Sequence, residues 1–263
     1  CQNTDELTIL INPLPAVNAG ADQFFCVGNS TILSGAGAVI YEWDQSIDDG
    51  APFSPPSGTE TYTLTGTDSN GCSNIDAVVL TVYELPNVFA ANNAVPDNDP
   101  VLCEGELITL SGSGAIIYDW TNGITDGVGF SPNLGTTNYI VTGTDVNGCV
   151  NTDELTILVN PLPVVEAGLN QTICEGIITA VNGAGAINYT WDNGVDDGID
   201  FIPPVGTSTY TLVGTDVNGC QNIDELTILV NSLPNVFAGS DLTLCEGESA
   251  LLSGSGAIFY DWS

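Results

Sequence analysis

The chain has 263 residues, of which 33 are acidic and none is lysine, arginine or histidine, giving a formal net charge of −33 at pH 7. A surface without a fixed cation cannot neutralise phosphates, which excludes nucleic acid as a partner and attraction to anionic lipid with it. No apolar run is long enough to insert into and span a bilayer, yet 43% hydrophobic residues separate the chain from acidic disordered tails.

Taken in order, the chain repeats one pattern. Each unit opens with a short Pro-bearing stretch ("NPLPAVNAG", "YELPNVFAA", "NPLPVVEAG", "NSLPNVFAG") and then a first cysteine at Cys26, Cys103, Cys174 or Cys245. A tryptophan follows each of these by 17 residues, at Trp43, Trp120, Trp191 and Trp262. In front of it, Val39, Tyr41 and Trp43 share one parity, as do Ile116, Tyr118 and Trp120, and Ile187, Tyr189 and Trp191, predicting a strand with one buried face. Its core set is Tyr41, Tyr118 and Tyr189 with the three tryptophans, while Ile40, Ile117 and Phe259 fall on the opposite, exposed face. Next, "TYTLTGTD" sets Tyr62, Leu64 and Gly66 against a row of threonines.

"GTDSNGC" or "GTDVNGC" then ends at the second cysteine, Cys72, Cys149 or Cys220, with Cys1 as an earlier member. Asn-Gly between alternating runs predicts a hairpin, with Asn70, Asn147 and Asn218 and the glycines after them at the positive φ of a type I′ turn. The last run buries Val78, Leu80 and Val82, or Leu155, Ile157 and Val159, or Leu226, Ile228 and Val230. No helical period is present.

The spacing of 71, 77 and 71 residues between second cysteines defines the organisation. Residues 16–86, 87–163 and 164–234 are complete modules, the second with a six-residue insertion; 1–15 is the last strand of one truncated module and 235–263 the first part of another. A chain without methionine that starts and stops inside a module is expected to be an interior segment of a longer array. The connectors carry Pro and little Gly or Ser, which predicts stiff joints.

Small modules of this size are commonly stapled. Within each complete unit the two cysteines stand 46 residues apart, so the expected disulfides join Cys26 to Cys72, Cys103 to Cys149 and Cys174 to Cys220, leaving Cys1 and Cys245 without partners. A zinc site is the competing reading, but two cysteines per unit, no histidine and no CxxC supply too few ligands. Disulfides imply an oxidising, extracellular or cell-surface setting.

Cys, Trp and Cys in a β-rich repeat invite comparison with immunoglobulin domains, although asparagine stands where such domains place a tyrosine two residues before the second cysteine. The stretch "ICEGIITAVNGAGAINYTWDNGVDDGIDFIPPVGTSTYTLVGTDVNGCQNIDELTILVNSLP" at 173–234, with its parallel "LCEGELITLSGSGAIIYDW", resembles the Ig-like and PKD-like modules strung through large secreted proteins of Bacteroidetes, among them gliding and adhesion proteins exported by the type IX pathway. The resemblance spans the whole chain. It implies secreted stalks, adhesins and surface fibres with no catalytic residue in the module. The expected fold is therefore all-β: a tandem array of Ig-like antiparallel β-sandwich modules of about 71 residues in an extended rod.

The acidic loops are the remaining candidates for chemistry. "WDNGVDDGIDF" gathers Asp192, Asp196, Asp197 and Asp200, while the second unit keeps only Asp126 of this set, with Thr125 beside it; the insertion adds Asp97 and Asp99. Calcium would look for its oxygens at Asp97 and Asp99 or at Asp196 and Asp197; solvated turn residues are the plainer reading. A glycosidase pair is disfavoured by the Thr125 replacement. The reading that results is a structural, non-enzymatic rod whose partners are copies of itself. Two alternatives stand beside it. One is a carbohydrate- or ice-binding repeat, whose threonine row is broken at Ile140 and Val213 and whose partner would be a surface glycan. The other is a spacer for a secreted enzyme elsewhere.

Overall fold

A computed structural model describes residues 1–93 and 100–263. The described residues form no α-helix, only two three-residue 3₁₀ turns. The first complete repeat holds β1 (Gln23–Cys26), β2 (Thr31–Ile32), β3 (Ile40–Trp43), β4 (Pro52–Phe53), β5 (Gly58–Thr67) and β6 (Ser73–Tyr83). The second holds β7 (Phe89–Asn92), β8 (Val101–Cys103), β9 (Ile108–Ser113), β10 (Ile117–Trp120), β11 (Gly129–Phe130), β12 (Gly135–Thr144) and β13 (Val150–Asn160). The third holds β14 (Gln171–Cys174), β15 (Asn188–Trp191), β16 (Gly206–Thr215) and β17 (Gln221–Asn231).

Each repeat is a β-sandwich with one large layer and one small one. The large sheets run β1-β6-β5-β3, β10-β12-β13-β8 and β14-β17-β16-β15. Facing them are the pair β2-β4, the three strands β11-β9-β7, and in the third repeat the isolated bridges Thr179 to Phe201 and Glu166 to Ala184. The long hairpins β5-β6 and β16-β17 are antiparallel throughout, with Tyr62 opposite Val78 and Tyr210 opposite Leu226.

The pairing is not antiparallel everywhere. β1 runs parallel to β6 and β14 parallel to β17, and the polar groups of the incoming chain show why. The side-chain amide of Asn74 donates to Pro15 O (3.0 Å), the Ala19 N–H to Asp76 Oδ2 (2.8 Å) and the Val79 N–H to Asp22 Oδ1 (2.9 Å). Residues 15–26 are thus laid down along β6 from its start to its end, in its own direction. The third repeat uses Asn222 on Pro163, Asp224 on Ala167 and Asn170 on Thr227 in the same way.

Period-2 burial fills the core. Tyr62, Leu64, Val78 and Leu80 pack with Leu33 and Trp43 in the first repeat; Tyr210, Leu212, Leu226 and Ile228 pack with Val181 and Trp191 in the third. Phe53 meets Tyr62 edge-on at 5.6 Å between centroids, and Phe201 meets Tyr210 at 5.4 Å, a geometry aromatic rings favour. Val39, Ile116 and Ile187, expected inside, are instead exposed, because β3, β10 and β15 begin one residue later. Ile40, Ile117 and Phe259 are exposed.

The hairpin turn also differs from expectation. Only the glycines have positive φ (Gly71 79°, Gly148 81°, Gly219 85°); Asn70, Asn147 and Asn218 do not. In place of a type I′ turn, the Asp68 carboxylate accepts the N–H groups of Asn70 (2.8 Å) and Cys72 (2.9 Å), closing the loop from inside. Asp145 and Asp216 do the same. Asp favours such side-chain turns, and glycine alone meets the left-handed requirement.

By contact the chain divides into two compact units, Cys1–Val101 with Gly105–Leu158 and Leu102–Glu104 with Val159–Ser263. Residues 1–11 are exposed and carry no strand. In 235–263 the bridge Phe237 to Ser255 is present and Trp262 is 44% exposed, against 7–8% for Trp43, Trp120 and Trp191.

Candidate functional site: cystines that link successive repeats

Cys26 ends β1 beside Tyr83, where the chain leaves the first repeat, and the Val27 N–H donates to Tyr83 O at 2.8 Å. Cys149 comes just before β13, and two residues on the amide of Asn151 donates to Pro86 O at 3.0 Å. Tyr83 and Pro86 are the two ends of the connector "YELP", so its shortness brings the two cysteines together. They are bonded, Cα to Cα 5.6 Å, across 123 residues of sequence. Cys103 and Cys220 repeat the arrangement: Glu104 N–H reaches Asn160 O (2.9 Å), Asn222 holds Pro163 O (3.0 Å), and the bonded cysteines lie 5.5 Å apart by Cα across 117 residues.

The disulfides thus join one repeat to the next, which corrects the pairing expected within each repeat. Cys72, Cys174, Cys1 and Cys245 are unbonded. The physical reason is the parallel strand pair. Cys26 stands at the Tyr83 end of β6 and Cys72 just before its start at Ser73, roughly 35 Å apart at about 3.3 Å per residue. A disulfide requires Cα atoms within about 7 Å. Cys149 and Cys220 are fully buried at their bonds, 0% and 1% exposed.

The recurring aspartates have a second assignment. Asp49 Oδ1 accepts the indole N–H of Trp43 (2.9 Å) and the N–H of Gly35 (2.7 Å). Asp126 holds Trp120 and Gly112 (2.8 and 2.6 Å), and Asp197 holds Trp191 and Gly183 (2.9 and 2.7 Å). Gly35 is required because a Cβ there would stand 2.8 Å from Tyr41 Cγ. Tyr41 is half-buried, with its hydroxyl donating to Ala38 O (2.7 Å) and accepting from Ala38 N (2.9 Å); Tyr118 on Ala115 and Tyr189 on Ala186 match it.

This explains why the second repeat retains Asp126 and replaces its neighbour with Thr125. The neighbouring position uses only its backbone carbonyl, which accepts from Ala51, Val128 or Ile199 for Asp48, Thr125 and Asp196 respectively. Both donors to Asp197 fall on Oδ1, so its carboxylate is first of all the acceptor that fixes the tryptophan. Among the described residues no three acidic or cysteine side chains gather as a metal site. Asp97 and Asp99 lie outside the described residues.

Two carboxyls are held below the ordinary carboxylate range by N–H donors. For Asp68 the chief cause is the Cys72 N–H, and for Asp224 the Ala167 N–H. Burial pushes the Tyr62, Tyr139 and Tyr210 hydroxyls up. Sequence reasoning missed the Asn and Asp that lay the incoming chain along the last strand. Their signal was the "N-x-D" that follows the second cysteine in "SNID", "VNTD" and "QNID".

No family model matches the chain, and no curated protein matches it. Among solved structures, the N-terminal eight Ig domains of Down Syndrome Cell Adhesion Molecule are similar at 15% identity and TM-score 0.42, over 83% of this chain and 37% of that one. The titin I-band fragment I67-I69 is similar at 10% identity and TM-score 0.36, over 84% of this chain and all of that one. Sidekick-1 immunoglobulin domains 1-5 are similar at 13% and 0.28, over 83% and 59%. At these scores the superpositions carry no argument about function. The repeats' own sheets are those of a tandem array of immunoglobulin-like β-sandwiches.

Proposed function

We propose that the chain is a load-bearing segment of an extracellular fibre or of the stalk of a large secreted surface adhesin. The observation that supports this is the pair of cystines that cross from one repeat to the next. A staple inside a module protects that module; a staple across a joint makes the joint carry tension. The shortest covalent route from Cys26 to Cys220 uses both cystines and only the 46 residues between Cys103 and Cys149, against 194 along the backbone. Reduction would therefore release roughly 500 Å of contour at about 3.6 Å per residue.

Disulfides point to an oxidising compartment, and no helix among the described residues is long and apolar enough to cross a membrane. The acidic, cation-free surface keeps chains apart in solution. Divalent ions such as calcium would screen that repulsion and draw neighbouring chains together, consistent with a secreted bacterial surface protein of the kind the repeats resemble.

The test is to trap thiols by acid quench and alkylation in cells that make the protein and to image their surface by electron microscopy with a repeat-directed antibody, before and after chelation. Surface threads with Cys26 and Cys149 oxidised are the expected result, and bundles that loosen on chelation would place calcium between chains. An intracellular pool with reduced cysteines overturns the proposal.

A further inference from the structure

Two of the unbonded cysteines belong to complete repeats and occupy the places of bonded ones. Cys174 ends β14 beside Asn231, as Cys26 ends β1 beside Tyr83. The residue after it, Glu175, donates its N–H to Asn231 O at 2.8 Å, as Val27 and Glu104 do at the two bonded joints. Cys72 leaves the Asp68 turn with its N–H on the carboxylate at 2.9 Å, as Cys149 and Cys220 leave theirs at 2.8 Å. The difference lies in what covers them. Cys149 and Cys220 are buried, Cys72 is half-buried and Cys174 exposed.

Both observed bonds obey one rule, first cysteine of a repeat to second cysteine of the next, and their separations of 123 and 117 residues differ by the six-residue insertion.

We infer that Cys72 and Cys174 are covalent docking sites for further repeats of this same kind. Cys174 takes the second cysteine of the repeat that follows, and Cys72 the first cysteine of the repeat that precedes, each 117 residues away when the spacing is that of the second bridge. Each bond forms as two thiols give up two protons and two electrons to a disulfide oxidant of the secretory compartment, which is reduced to its dithiol. The inference concerns bonding register; it shares with the proposed function an oxidising compartment, which the Cys26 to Cys149 link in the same digest reports separately.

The test is disulfide mapping of the native full-length protein. The purified, unreduced protein is alkylated, cut with a Glu-specific protease and analysed by mass spectrometry. The expected result is loss of any alkylated thiol at Cys72 and Cys174. The Cys174 peptide is cross-linked to an "NGC"-type peptide of the next repeat, and the Cys72 peptide to the first-cysteine peptide of the preceding one. A Cys174 to Cys220 or Cys72 to Cys26 link, or an alkylated thiol at either position, overturns the inference. So does a link to a second copy, seen as a doubled mass that collapses on reduction.

Discussion

Cys26 and Cys72 belong to one sequence repeat and to the two edges of one parallel strand pair, yet they stand at its opposite ends. Their substitutions should therefore differ. Cys149→Ser removes the bond to Cys26 and, with a closed loop of 123 residues, is expected to cost about 5 kcal/mol in the loop-entropy estimate. Cys72→Ser in the same 263-residue chain removes no bond and should shift stability by less than about 0.5 kcal/mol. Urea unfolding of the two variants reads the contrast, and equal losses would contradict the pairing.

Asp197 is expected to matter through Trp191 and not through a metal. Asp197→Ala strands the part-buried indole N–H of Trp191, at about 1–3 kcal/mol for an unsatisfied buried donor, while the exposed N–H of Gly183 turns to water. Asp196→Ala leaves its backbone acceptor in place and should fall within about 0.5 kcal/mol of the parent. Denaturation with and without calcium checks both. A calcium-dependent loss in the Asp196 variant would instead place a cation at this loop.

Acid should loosen the Asp68 turn and the tie from Asp224 to Ala167. Asp68 and Asp224 are held below the ordinary carboxylate range by N–H donors, so each stays charged in the folded chain where its unfolded counterpart is already taking up protons, near pH 4. Their contribution is complete above that range and is lost as pH falls through the depressed folded values. Asp68→Asn should destabilise the chain at neutral pH, and the gap in melting temperature between parent and variant should close as pH is lowered from about 5 to about 2. A gap independent of pH would show that charge at Asp68 is immaterial.

Salt should stabilise without an opposing trend. With 33 acidic side chains and no basic one, screening can weaken only repulsion between side chains. Raising sodium chloride from about 0.01 M to about 0.1 M shortens the screening length from about 30 Å to about 10 Å. The melting temperature is expected to rise by several degrees over that range. A fall would mean that attraction between charges holds the fold.

Much of the sandwich was legible because a strand with one buried face writes period 2 into its sequence. Tyr62, Leu64, Leu155 and Ile157 were placed correctly for that reason alone. The cystine register was not legible, since 46 residues of separation say nothing about which end of a strand pair a residue occupies. That depended on Asn74, Asp76 and Asp22 steering the incoming chain along β6, contacts between residues up to 59 apart. The turn was misjudged because Asn-Gly announced its own preference, while the aspartate two residues earlier set the geometry. The tryptophan clamp was half visible: Asp126 was noticed as the one acidic residue the second repeat retained, but its partner emerged only from the fold.

The overlap of the two cystine loops sets how the chain can be broken. Cys103 and Cys149 each lie within the loop closed by the other's bond, so the stretch between them belongs to both. One cleavage anywhere between Cys26 and Cys220 leaves the two ends joined, and so do cleavages in any two of the three intervals marked by the four cysteines. Only a cut in all three, 26–103, 103–149 and 149–220, parts the molecule. A protease must succeed three times in neighbouring folded repeats before the two ends part, whereas after reduction of both cystines a single cut between Cys26 and Cys220 is enough.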